Sequence, residues 1–154
     1  MGFNKEYFPS SVADPAPLTA FAKRRVRFEE VDMLGIVWHG HYVSFLEDGR
    51  IAFGDKYGLS YIALRQAGIA APIVQMHLDY HAPLHFDQEF EIQLTLHWCD
   101  ALRLNFEYLL IQEETKVASG YTVQLCVDLK GNLIFTPPEF VAIFREQWRA
   151  GNLS

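Results

Sequence analysis

Two stretches of strict alternation, joined to their neighbours by very short links, constrain this chain more than any other feature. In "QEFEIQLTLHWCD" the apolar residues Phe90, Ile92, Leu94 and Leu96 occupy every second position, and in "LRLNFEYLLIQEE" Leu102, Leu104, Phe106 and Tyr108 do the same. Side chains on a strand alternate between faces, so each run presents one apolar face to a core. "KVASGYTVQLCVDLKG" follows as another extended run, and "IVQMHLDYHAPLHF" precedes them after Pro72. Links such as "CDA" and "EET" leave room only for hairpins, which makes the sheet antiparallel.

A sheet with one apolar face needs a cover. "HYVSFLEDGRIAFGDKYG" supplies one, because Tyr42, Phe45, Leu46, Gly49 and Phe53 recur at three- and four-residue steps and so share a helix face. Gly58 is placed to end that helix. A shorter helix in "SYIALRQAG" is capped by Ser60 and ended at Gly68. Ahead of the long helix, "FAKRRVRFEEVD" reads as a strand from Phe21, with Val26, Phe28 and Glu30 on one face, followed by a turn over Asp32–Gly35. Residues 1–20 carry Pro9, Pro15 and Pro17 without periodicity and read as an extension or docking arm. "TPPEFVAIFREQWRAG" reads as a terminal helix begun by Pro138. The expected architecture is α+β: one domain over 21–154, with a long helix laid on an antiparallel sheet.

Composition narrows the function. At 154 residues and 50% apolar, the chain can bury a genuine core. A net charge of −6 gives no attraction to nucleic acid or to anionic membranes. Cys99 and Cys126 lie in apolar stretches without metal spacing and read as reduced core residues. "MGFNKEYFPSS" has no apolar core of a signal peptide, and no run is long enough to span a bilayer, so a cytoplasmic location is expected.

His77, His81 and His85 are spaced by four, yet Pro83 breaks any helix there and Met76, Leu78 and Tyr80 alternate with them as on a strand. The His39/His41 pair lacks a third ligand of suitable spacing. No nucleophile elbow or phosphate-binding glycine motif is present, and Ser44 and Ser60 lie in helical or capping contexts. Neither a metal nor a cofactor is expected. Asp32 stands apart. It serves equally well as a turn residue, but it lies among Val31, Met33, Leu34, Ile36, Val37 and Trp38, where an unpaired carboxylate is costly to bury. It also precedes a helix N-terminus, whose first N–H groups have no helical partner and carry partial positive charge. A carboxylate and free donors facing one cavity can handle an ester: the acid attacks or activates water while the donors hold the oxyanion.

"VRFEEVDMLGIVWHGHYVSFLEDGR" resembles the signature of the hotdog-fold acyl-CoA thioesterases of the 4-hydroxybenzoyl-CoA thioesterase class. The shared frame is Asp32, Gly35, Val37, His39 and Tyr42, then Phe45, Glu47 and Arg50, and the likeness continues through "DYHAPLHFDQEFEI" and "RLNFEYLL" to "ASGYTVQLCVDLKG". It covers roughly residues 21 to 140. The resemblance implies a long helix wrapped by a five-stranded antiparallel sheet, and homodimers or homotetramers joined edge to edge through the strand around Ile73–His81. It implies hydrolysis of acyl-CoA to a free acid and CoA. Asp32 would be nucleophile or general base, and the backbone N–H near His39 would polarise the carbonyl.

An ordinary carboxylate is too weak a base to take much proton from water at neutral pH, which favours direct attack. The His39 side chain would orient the acid or water, or protonate the leaving thiolate. Gly40 would allow close approach of the ligand, and Trp38 and Tyr42 would line the acyl pocket. Arg65, Arg103, Lys116 and Lys130 are candidates for the CoA phosphates. Some relatives carry tyrosine four residues before the acid, where this chain has Phe28. Three rivals remain open: hydrolysis of acyl-carrier-protein thioesters, a non-catalytic acyl-binding role, and, more weakly, a hotdog dehydratase.

Overall fold

The computed structural model describes residues 6–153. In chain order the elements are β1 (Leu18–Arg25), α1 (Tyr42–Tyr57), α2 (Tyr61–Gln66), a two-residue β2 (Ile69–Ala70), β3 (Ile73–Tyr80), β4 (Glu89–His97), β5 (Arg103–Gln112), β6 (Thr115–Leu125), a two-residue β7 (Val127–Asp128) and α3 (Glu139–Arg149). Single 3-10 turns at Phe28–Glu30 and His39–His41 lie between β1 and α1.

The main sheet is five-stranded and antiparallel, in the order β1-β4-β5-β6-β3. The hairpins expected from the alternation are the β4–β5 and β5–β6 pairs. One row of the register runs Ala20, Leu94, Tyr108, Gly120 and Leu78. It faces α1, since a Cβ built on Gly49 of that helix lies 3.7 Å from Leu94 and 3.8 Å from Tyr108.

The helix face read from the sequence is the buried one: Tyr42, Phe45, Leu46, Gly49 and Phe53 all lie in the interior. Phe45 packs on Phe90 at 4.9 Å and Phe53 on Phe106 at 5.2 Å between ring centres. Each such side chain contributes roughly 1.5–3 kcal/mol of transfer free energy. Gly58, at φ +78°, ends the helix as expected, and the Ser60 hydroxyl accepts from the Ala63 N–H at 3.1 Å to start α2. Pro138 precedes α3, whose Val141, Phe144 and Trp148 are buried.

Three expectations are corrected at the N-terminal side. β1 begins at Leu18, ahead of the expected Phe21, because Leu18 and Ala20 pair with Leu96 and Leu94 and are buried. The strand does not run on through Glu30. Its ladder with β4 stops at Arg25, and the chain turns at Phe28–Glu30, closed by the Glu30 carboxylate accepting from the Arg27 N–H at 2.8 Å. Glu30 is buried because it pairs with Arg24 at 2.7 Å, whereas Phe28 is 78% exposed. Finally, part of the segment read as an extension or docking arm packs on this chain's own sheet. Phe8 is buried, and the Tyr7 hydroxyl donates to Asp79 at 2.9 Å beside Ser119 at 3.0 Å, on the sheet face opposite α1. Residues 1–5 of that arm lie outside the described residues.

Cys126 is buried in the core, but Cys99 is only half-buried, in the β4–β5 connection; both are free thiols. Among the described residues no helix is long and apolar enough to cross a membrane.

Candidate active site

Asp32 opens a tight hairpin turn. Val31 bridges Val37, the Asp32 N–H donates to the Ile36 carbonyl at 2.9 Å, and the Gly35 N–H donates back to the Asp32 carbonyl at 3.0 Å. Gly35 sits at φ +72°, a conformation that favours glycine. One carboxylate oxygen of Asp32 accepts from the Leu34 N–H at 2.8 Å, and the other has no hydrogen-bond partner among the described residues. The apolar run around Asp32 is not buried in the single chain. Asp32, Met33 and Leu34 are all exposed because they form the tip of the turn, so the desolvation expected from the sequence is absent there.

The same backbone delivers the helix start. The Val37 N–H donates to Leu84 at 2.8 Å and the Trp38 N–H to Glu30 at 2.9 Å, and the 3-10 turn at His39–His41 then leads into α1. That turn closes with the His41 N–H on the Trp38 carbonyl at 3.0 Å. The amides of His39 and Gly40 precede this first bond and have no helical acceptor, which leaves two donors at the positive end of a helix. Trp38 folds back over the turn, 4.9 Å from the His39 ring and 5.5 Å from the His41 ring. Gly40 leaves room for that indole, so its small size serves packing within the chain. Tyr42 is buried and packs edge-on against Tyr80 at 4.9 Å.

Asp32, His39 and Tyr42 line one open cleft of about 370 Å³, together with Ile36 and Val37. Trp38 and Gly40 stand at the helix start but are not among its walls. The opposite wall comes from the end of β3: Tyr80, His81, Ala82 and Pro83. The Tyr80 hydroxyl donates to the His39 carbonyl at 2.8 Å, and His81 Nε2 lies 2.8 Å from Ser119 Oγ. Sequence reasoning weighed His81 only as a metal ligand or as a surface or ligand-facing strand position, and gave Tyr80 no role beyond its place in the strand alternation. The available signal was a tyrosine and a histidine at a strand end just before a proline.

Other candidates separate. His77 pairs with Asp79 at 2.9 Å, while His85 lies across from Ile36 in a backbone bridge. Among the described residues no group of three or more His, Cys, Asp or Glu side chains is placed to hold a metal. Arg65, Arg103, Lys116 and Lys130 are exposed on four different segments. Lys116 alone adjoins the cleft wall, since the carbonyl of its neighbour Val117 accepts from the His81 and Ala82 amides at 2.8 and 3.1 Å.

Arg50 is buried on α1, donating to Tyr61 at 2.9 Å and Tyr108 at 3.0 Å, and it also pairs with Glu47. Burial opposes its charge, but the two phenol oxygens outweigh that and hold the guanidinium above its ordinary range. Beside it Phe53, Leu59, Leu64 and Phe106 line an apolar cavity of about 200 Å³, apart from the Asp32 cleft.

The signature described as the Thioesterase-like superfamily matches residues 26–144. A putative esterase of Aquifex aeolicus is 29% identical over 124 residues, 80% of this chain and 96% of that protein. The acyl-CoA thioester hydrolase YbgC of Escherichia coli is 30% identical, over 79% of this chain and 92% of its own length. The crystal structure of the DHNA-CoA thioesterase of Staphylococcus aureus superposes with a TM-score of 0.77 at 20% identity, over 87% of this chain and 93% of that one. That last likeness speaks to the fold alone. The signature, the relatives and the sheet laid across one long helix agree: this chain belongs to the thioesterase-like superfamily and has the hotdog fold.

Proposed function

We propose that the chain is a cytoplasmic acyl-CoA thioester hydrolase in which Asp32 and the start of α1 act on one carbonyl. The observation that carries this reading is the cleft shared by Asp32, with one carboxylate oxygen unengaged, and His39, whose amide has no helical acceptor. The free oxygen of Asp32 adds to the thioester carbonyl while the helix-start amides hold the developing oxyanion. Collapse of that intermediate breaks the C–S bond, leaving a mixed anhydride on Asp32 and a CoA thiolate that takes a proton from His39 or water. Water then cleaves the anhydride, releasing the acid, restoring the carboxylate and returning a proton to His39 or solvent. In the alternative course Asp32 takes the proton of a water that attacks directly. The reaction requires neither metal nor cofactor.

Coenzyme A is favoured over a carrier protein as the thiol partner. The one basic run of the sequence, Lys23–Arg27, is neutralised where it folds: Arg24 pairs with Glu30 and Asp48, Arg25 with Asp87 and Glu89, and Arg27 with Glu29. An acidic carrier finds no basic surface there. The chain acts as a homodimer or a dimer of dimers through β3, an edge strand whose Ile73, Val74, Met76 and Tyr80 are exposed.

The test is thiol release from short-chain, long-chain and aryl-CoA thioesters by the native protein and by Asp32→Asn. Turnover is expected to fall at least about a hundredfold in the variant with folding intact. Undiminished turnover would remove Asp32 from the chemistry, and a native protein inactive on all three would overturn the CoA reading.

A further inference from the structure

Two elements that are far apart in the chain meet at one peptide group. Tyr80, at the end of β3, donates its hydroxyl to the carbonyl of His39 at 2.8 Å, and its ring packs edge-on against Tyr42 at 4.9 Å. The His39 carbonyl and the Gly40 N–H belong to the same planar trans peptide, so fixing one end fixes the direction of the other. A hydrogen bond to the carbonyl also polarises the unit and makes its N–H a stronger donor. His39–His41 is a 3-10 turn, whose hydrogen-bond geometry is poorer than that of the α-helix it leads into, so an outside contact on its carbonyl helps to hold it.

We propose that Tyr80 is a positioning residue for the thioester reaction: its hydroxyl, bonded to the His39 carbonyl, fixes the helix start so that its free amides meet the thioester oxygen as negative charge develops there. This rests on the hydrolase reading above. Tyr80 is 51% exposed. Its hydroxyl therefore contributes little to the core, and its bond is aimed at the element that presents the donors. The hydroxyl acts on the transition state more than on the bound thioester, because the charge it helps to meet is absent in the ground state.

Tyr80→Phe keeps the ring and its contact with Tyr42 while removing only the hydroxyl. Its kcat on the best CoA thioester is expected to fall about tenfold with KM, melting temperature and oligomeric mass unchanged. Asp32→Asn is measured alongside. If Asp32→Asn is inactive while Tyr80→Phe keeps native kcat, the positioning role is overturned and the hydrolase reading stands. A rise in KM with native kcat would place Tyr80 in substrate binding and equally overturn the role. If Asp32→Asn is fully active, both fall together.

Discussion

Gly40 lies directly beneath the indole of Trp38: a methyl group built on its α-carbon would sit 2.2 Å from the nearest ring carbon and within 2.7 Å of two more. Gly40→Ala therefore forces either the indole or the first turn of the helix to move. The expected result is a loss of roughly 1–3 kcal/mol in stability from overpacking. A fall in kcat larger than the fall in folded fraction should accompany it, because the displaced turn carries the donors. Urea denaturation and steady-state kinetics on the same preparation check both. The double variant Gly40→Ala with Trp38→Ala removes the clash and is expected to recover stability.

β3 leaves one side of its backbone unpaired in the single chain while exposing Val74 and Met76. Lysines at an edge prevent a second strand from adding. Light scattering of the native protein is expected to give twice or four times the 17.7 kDa chain mass, and Val74→Lys with Met76→Lys to give the chain mass alone. A native monomer, or a lysine variant of unchanged mass, would rule out β3 as the pairing edge.

Burial pushes the Cys126 thiol above its ordinary value of 9.0 and the Tyr108 phenol above 10.0, the latter partly opposed by the Arg50 guanidinium. Unfolding lets both ionise at their ordinary values, so above about pH 9 the unfolded chain binds fewer protons than the folded one. The contribution of these groups is thus fully present below the unfolded values and is lost as pH rises through them toward the folded ones. The urea midpoint is expected to hold level from pH 7 to 8.5 and to decline toward pH 10.5. Cys126→Ala, although less stable throughout, is expected to decline less steeply over the first part of that range.

The long helix and the paired strands were legible in the sequence because their signals are local. Alternation in β4 and β5 and the three-four spacing from Tyr42 to Phe53 each follow from the geometry of one element, and both survive into the fold because each apolar face finds the other. Asp32 was legible as a candidate from its place in an apolar turn just ahead of the helix, whereas His39 was marked by the resemblance to a family that starts its helix there.

What depended on distant partners was not legible. The strand read through Val26–Glu30 bends into a turn because Glu30 is drawn under Arg24, an ion pair no periodicity announces. Tyr7 and Phe8 fell in a segment read as an extension or docking arm, and it is Asp79, Ser119 and Tyr121 of the same chain that give them a surface to pack on. Tyr80 reaches the His39 carbonyl across 41 residues. The long helix, the paired strands and the acid ahead of the helix can be read from the residues alone, because backbone geometry and hydrophobic spacing act over a few residues. What faces Asp32 across the cleft, and which side chains hold the helix start, emerges on folding, because hydrogen bonds and ion pairs depend on where separate segments meet.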